Sequence, residues 1–555
     1  MGFAGEAKLH GGITLKAVYG SALLTKPRPS WTLTMAWALV VAALSGHAAA
    51  GEIEAELVLS PQARAIVETN RPIWPGPSGD VIEREAIELL YNYTGLEDEI
   101  DVAQIWRNQG RSVRTGQSHQ WHISPHYAAE EVELLFEVLK YGYAGYEYFG
   151  GDEAFEAAKD GILREIGEFA EEIPMWQYID IIAANLSFVR DGHLSIGERR
   201  ICEYHQFRAS PTHSFCMDNE GQFWNADGER ILSIDGQSPS AFMKPSIDEA
   251  GDIVYLLGMV LPEGNGDVAL KLEYADGCDE MAWLVPFSPM VLDGPVYELS
   301  EVGGVPLITC GDFRDLPGQR RAIARFAEDA EGFRDEDVII LDLRSNRGGR
   351  YAYGREWCRR LSGGDVGPST YSRRLVTDVA LALLSNTLPE SDDNLSSLDN
   401  QDDAPWMKDR SEDPELPGWS YAVVEQEARA GRTPFVVVLL DSYVASAAEV
   451  FVRRLRYCQN TVFIGTNTRG AALCGNAGVM ELPYSGLKVS LPTMICFDGE
   501  MQNIDGCGYF PDFWVHPDFV MERAVRFIEK QLVSVQADGA LGQTSEEEPG
   551  GIMRQ

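Results

Sequence analysis

Basic residues are scarce in this chain. Its 46 Lys and Arg stand against 85 Asp and Glu, a net charge of −39 over 555 residues. An acidic surface of that size argues against nucleic acid and anionic membrane as partners and favours solubility. Long apolar runs are equally scarce. Met35 to Leu44 is strongly apolar but short for a stable membrane span, and no later segment is long enough to cross. None of the nine cysteines forms a CxxC pair, which argues against a zinc ribbon or a redox motif. No internal repeat is present.

What is there begins with an export signal. Lys8, Lys16, Lys26 and Arg28 precede the apolar run, and Ala48-Ala49-Ala50 supplies small residues for cleavage. Residues 1–50 therefore read as a signal peptide, with an uncleaved anchor as the alternative, and the mature chain as periplasmic or extracellular. Export permits disulfides. Cys202 with Cys216 is one candidate bridge, and Cys474 with Cys496 or Cys507 is another; an odd count leaves a thiol over.

The texture then changes along the chain. Residues 51–200 read as a helical domain: Ala129 to Tyr141 is amphipathic, and Ile179, Ile182, Leu186 and Val189 follow the helical spacing. Asp191-Gly192 stops that helix. Residues 201–290 alternate short β runs with turns, such as Ile231 to Ile234 before Asp235-Gly236, and read as a small β-rich module. Residues 291–535 alternate apolar strands (Val305 to Thr309, Val338 to Leu343, Phe435 to Leu440, Val462 to Ile464, Lys488 to Leu491) with helices (Gln319 to Ala327, Ala445 to Tyr457). That pattern predicts an α/β layer with a buried sheet. An acidic insertion at 386–417 reads as a solvated loop, and 536–555 as a disordered tail. Length alone calls for two or three domains.

Ser446 falls where the strand Phe435 to Leu440 turns into a helix. A hydroxyl there lies near free backbone N–H groups and the positive end of the helix dipole, the setting an acyl-transfer nucleophile needs. A plain N-cap serine would occupy the same place. A second strand, Val338 to Leu343, runs into Gly348-Gly349, where backbone can approach a substrate and offer N–H donors.

Four motifs in order carry a resemblance: Asp342-Leu343-Arg344-x-Asn346-x-Gly348-Gly349, Ala445-Ser446-Ala447-Ala448-Glu449, Ile464-Gly465-x-x-Thr468-x-Gly470 and Gly508-x-x-Pro511-Asp512. Together they resemble the C-terminal processing (tail-specific) serine peptidases. The resemblance implies a ClpP/crotonase-like α/β catalytic core, with the β-rich module as a PDZ-like domain and the helical region ending in Asp191-Gly192-His193. It also implies a peptide or protein substrate and no cofactor or metal.

The tail-specific branch places its base, a lysine, directly after the glycine of the third motif. Here that position is Ala471. Arg469 cannot substitute, because a guanidinium does not deprotonate in a protein. The chain is therefore similar to the branch that includes the tricorn core protease, which uses histidine and an acid. That resemblance implies His193 as base and Asp505 as the orienting acid, one methylene shorter than the glutamate of that pattern. The expected triad is Ser446, His193 and Asp505, with the oxyanion held by N–H groups of Gly348 or Gly349 and of Ala447. Glu449 and Asp342 read as structural. His119, His122 and His126 invite a metal, but Pro125 interrupts their helix and no carboxylate partner is evident. The Tyr-rich stretch Lys140 to Gly151 reads as packing and loop. The leading function is an exported serine endopeptidase. A non-catalytic carrier of an apolar ligand or peptide, or an esterase-like acyl hydrolase, would use the same fold.

Overall fold

The computed structural model describes residues 55–70, 121–264, 266–289, 291, 294–316, 318–386, 412–413, 416–430, 433–498 and 503–536. Nearly all of the described residues fall in one compact unit, Leu57–Val535. The expected signal peptide 1–50 and tail beyond 536 lie outside the described residues, as do His119 and most of the acidic insertion. No helix among the described residues is long and apolar enough to cross a membrane.

The centre of that unit is a six-stranded sheet. Its order is Tyr297–Val302, Val305–Cys310, Val338–Asp342, Phe435–Leu440, Thr461–Gly465 and Phe513–Trp514. Only the first pair is antiparallel; the four remaining pairings are parallel. A parallel sheet is covered on both faces, so its central strands are continuous apolar runs: Phe435–Leu440 and Thr461–Gly465 are buried at every position. Alternation divides the side chains between two cores. Ile339, Leu341, Val436, Val438 and Leu440 face the helices Arg320–Asp329, Tyr351–Ser362 and Ala447–Leu455. Ile340, Val437, Leu439, Val462 and Ile464 face the helix Val520–Gln531 and the β-rich module.

That module is an antiparallel seven-stranded sheet built from strands between His205 and Pro286, with one 3-10 turn at Pro239–Ala241. A further sheet lies on the long strand Lys488–Asp498, flanked by Thr370–Arg374 and by Ser195–Ile196, with the hairpin partner Cys474–Glu481. The helices Pro125–Gly142, Gly151–Gly167 and Met175–Asn185 pack against it, sharing a core with Val379, Leu383, Val489 and Leu491.

Three expectations need correction. Residues 51–200 do not form one helical domain among the described residues. The ten-residue helix Pro61–Asn70 buries Ala63, Ile66 and Val67 in the core of the β-rich module and is tied to Gln531 through Ser60 Oγ at 2.7 Å. So short a helix needs an apolar partner to persist, and this is the one it finds. The acidic insertion does not remain loop throughout. Its end forms the paired strands Glu412–Asp413 and Leu416–Ser420, and Trp419 at the close of the second is buried. The proposed disulfides are not formed, and all nine cysteines are free thiols. Cys216 lies near the far end of the 13-residue strand His205–Met217, whose start follows Cys202, and Cys474 lies across from Ile495 rather than Cys496.

The helix that follows Ser446 is seated by aromatic packing. Phe451, 1% exposed, has its ring 5.4 Å from Trp357, 5.9 Å from Phe313 and 6.0 Å from Phe326, all edge-on. Phe451→Ala is expected to cost about 3–5 kcal/mol, with Phe451→Leu well under half of that. Urea unfolding checks this, and a loss below about 1 kcal/mol would show that the cluster does not seat the helix.

Candidate active site

Adjacent parallel strands deliver the first two elements. Val338–Asp342 and Phe435–Leu440 pair in register, Asp342 beside Leu439, so the loops after them emerge side by side. Backbone stitches those loops together: Ala445 N–H donates to Asn346 O at 3.0 Å, and Ser345 N–H to the Asp441 carboxylate at 3.1 Å.

Ser446 is the residue before the helix Ala447–Leu455 and holds φ 56° and ψ −122°. Positive φ is strained for a residue with a Cβ and persists only where the surroundings enforce it. The enforcing group is Glu449. Its buried carboxylate accepts from Ser446 N (3.0 Å), Ala471 N (2.7 Å), Gly470 N (2.7 Å) and Thr468 Oγ1 (2.6 Å). One side chain thus fastens the Ser446 turn to the loop of the third motif. Burial pushes the Glu449 pKa up while these donors pull it down, with burial the larger effect.

The Ser446 hydroxyl faces a histidine. Its Oγ lies 3.0 Å from His193 Nε2. His193 reaches it from a turn between the helix Met175–Asn185 and the strand Ser195–Ile196, which docks onto Val489 and Ser490. The turn is fixed by its own acid: Asp191 accepts from His193 N–H at 2.7 Å and from Tyr143 O–H at 2.8 Å. Gly192 is required beside it, since a Cβ there would stand 2.6 Å from both the Ala471 methyl and Gly470 O. Ala471 therefore lies against the His193 turn, at the position where the tail-specific pattern places its lysine. The imidazole is partly buried, and the loss of solvent lowers its pKa; the Asp191 charge raises it and Arg200 lowers it, for a net shift downward from 6.5.

Asp505 does not contact the ring. Its oxygens accept from Gly192 N (2.9 Å), Ala472 N (2.7 Å) and Leu473 N (3.1 Å), while His193 Nδ1 is buried without a hydrogen-bond partner. The expected Asp505–imidazole bond is thus corrected: the carboxylate lies against the backbone of the histidine's turn. Burial and then the Asp191 charge push the Asp505 pKa up to about 7.

The oxyanion candidates also separate. Gly348 N–H is occupied, donating to Asn346 Oδ1 at 3.0 Å. Gly349 N–H and Ala447 N–H have no acceptor among the described residues, and both residues line the cavity at Ser446. Ala447 is the first helical residue, whose N–H has no partner within the helix. Gly349 sits at φ 139°, where a Cβ would come within 2.1 Å of the Phe313 backbone, so no side chain fits. Among the described residues no cluster could hold a metal ion. His126 instead pairs with Glu130 at 3.3 Å.

Sequence reasoning missed two supports. Tyr143, read as packing, positions Asp191. Glu449 was read only as structural, yet its place three residues after Ser446 is the spacing at which a helix-entry carboxylate reaches back to the N-cap N–H.

Two predictions follow from these carboxylates. Glu449→Gln sets an amide NH₂ against two of the four donors, and a loss of about 2–3 kcal/mol is expected together with slower reaction at Ser446; an unchanged melting temperature would show that the contacts are dispensable. Asp505 has a raised folded pKa, so its contribution to stability is full below 3.8 and is lost as pH rises through about 7. Across pH 5 to 8 the melting temperature of wild type is expected to fall more steeply than that of Asp505→Asn; parallel curves would refute the shift.

Residues 307–515 match the family model described as Peptidase family S41, a serine-peptidase family. The chain has no match among curated proteins. Similarity to solved structures is distant. Mature CPAF complexed with lactacystin is 14% identical, with 72% of this chain and 96% of that one covered and a TM-score of 0.38. The photosystem II D1 C-terminal processing protease is 14% identical, with coverage of 72% and 96% and a TM-score of 0.32. The tricorn protease is 12% identical, with coverage of 72% and 35% and a TM-score of 0.30.

Proposed function

We propose that this serine-type peptidase, with its S41 domain at residues 307–515, is exported and cleaves extended peptides or protein tails by acyl transfer at Ser446, with His193 as base. The observation that carries the reading is the 3.0 Å contact between His193 Nε2 and the oxygen of a backbone-strained Ser446. A merely structural serine would need neither the strain nor the contact.

In this scheme the neutral imidazole, protonated on Nδ1, takes the Ser446 proton as Oγ attacks the scissile carbonyl carbon. Charge developing on the carbonyl oxygen is met by the N–H groups of Gly349 and Ala447. The negative charge of Asp191 stabilises the imidazolium, which then protonates the leaving amine. Water, activated by the same imidazole, releases the acyl group. Asp505 acts as a positioning residue through Gly192, so the branch is a Ser-His one without an acid bonded to the ring. The chain's lack of a lysine at Ala471 supports that assignment. The module at 201–290 would present substrate as a PDZ-like domain does. An apolar-ligand carrier would leave the Ser446–His193 contact without a use, and activated esters should react by the same chemistry.

Labelling of the full chain with a fluorophosphonate tests the reading. The rate is expected to rise with pH to a plateau, its imidazole midpoint below 6.5 because burial outweighs the Asp191 charge. Ser446→Ala should abolish labelling, and His193→Ala should slow it by about 10²–10⁴-fold and remove that midpoint. Labelling that survives Ser446→Ala, or a folded wild type that never labels, would overturn it.

A further inference from the structure

The cavity at Ser446, about 530 Å³, carries charge opposite to that of the chain. In a protein of net charge −39, its lining includes Arg355, Arg373, Arg374, Arg453 and Arg454, with Glu425 the one lining acid. Asp498 adds a second acid beside Arg453. Several of these arginines are engaged. Arg454 binds Glu425 and Val366 O, and Arg373 binds Ser420 O and Tyr371. Arg453 is held more loosely. Its side chain is 8% exposed, with one terminal nitrogen 3.7 Å from Asp498 and the other 4.0 Å from Cys496 Sγ. A buried guanidinium with contacts this long has charge to spare for a ligand.

Its place relative to the nucleophile is set by the helix. Ser446, Val450 and Arg453 all line the cavity and recur at i, i+4 and i+7, one face of a helix. Seven residues advance roughly 10 Å along the axis. Helical side chains tend to lean toward the N-terminus, which is the Ser446 end of this helix, and Arg453 borders both this cavity and a second one shared with Asp498 and Tyr509. A glutamate side chain reaching roughly 5 Å from the scissile carbonyl, met by an arginine reaching back a similar distance, spans that gap. An apolar side chain in the same cavity would strip water from Arg453 and return nothing.

We propose that this cavity receives a carboxylate of the substrate, carried on the side chain of the residue whose carbonyl Ser446 attacks, and that Arg453 fixes it. The inference rests on the peptidase reading and names its substrate class: extended peptides with glutamate, or the shorter aspartate, at the cleavage point.

The test is binding of fluorescent peptides to the full-length Ser446→Ala protein. Matched sequences carry Glu, Gln, Leu or Lys at the central position, each with a free or an amidated carboxyl terminus. Fluorophosphonate labelling of wild type runs in parallel. The Glu peptides are expected to bind about tenfold or more tighter than the Gln peptides with either terminus. Added salt should shrink that ratio. The ratio should fall toward one in Ser446→Ala/Arg453→Met and be partly retained in Ser446→Ala/Arg453→Lys. If the Met variant does not fold, the peptide panel and its salt dependence still decide. A preference for free over amidated termini, indifferent to the central residue, would move the carboxylate to the chain end and overturn the side-chain placement. Equal binding of Glu and Gln, or a preference for Leu or Lys, would overturn the proposal outright. Glutamate selectivity without fluorophosphonate labelling would sink the peptidase reading alone; labelling without selectivity would sink this inference alone.

Discussion

The site depends on one buried carboxylate. Glu449 gathers four donors from two segments distant in sequence, the turn at Ser446 and the loop Thr468 to Ala471. No neutral side chain can do this, since an amide offers one acceptor oxygen where the carboxylate offers two. Its position in the first turn of the helix adds a favourable field. The result is a serine backbone in a conformation it would not adopt alone, with its N–H tied down and its hydroxyl left for the imidazole. The adjacent parallel strands bring Gly349 alongside, because loops leaving neighbouring parallel strands exit at the same edge of the sheet.

His193 is held by a different principle. The ring of His193 is placed by anchoring the main chain on both sides of it: Asp191 grips the His193 N–H, Asp505 grips the Gly192 N–H, and the strand Ser195–Ile196 is laced into the sheet of Lys488–Asp498. Partial burial favours the neutral form of the ring. Ala471 belongs to the same arrangement. The missing Cβ of Gly192 lets the histidine's turn lie directly against the Ala471 methyl.

Much of this was legible in the sequence. The strand Phe435–Leu440 was bounded correctly because every residue in it is apolar and buried. Ser446, the glycine pair and His193 stand out as candidates because turn chemistry between strands and helices leaves local marks. What stayed hidden was long-range. Nothing near Asp505 in sequence says that its oxygens face Gly192, Ala472 and Leu473, or that Asn346 occupies the Gly348 N–H and leaves Gly349 free. The helix Pro61–Asn70 reads as part of a helical domain until its partner, the core around Phe527, is seen. The cysteine pairings failed for a related reason: sequence proximity of Cys202 and Cys216 ignores the extended strand that has Cys216 near its far end.

The central claim is that Ser446, His193 and the N–H groups of Gly349 and Ala447 act as one device, with Asp505 supporting it from behind. A crystal structure of the fluorophosphonate-treated protein tests this most directly. The account predicts phosphorus bonded to Ser446 Oγ and a phosphonyl oxygen within about 3 Å of both N–H groups. It also predicts Asp505 still on the backbone of Gly192. An adduct whose oxygen turns away from Gly349 and Ala447, or an Asp505 carboxylate bonded to His193 Nδ1, would contradict it.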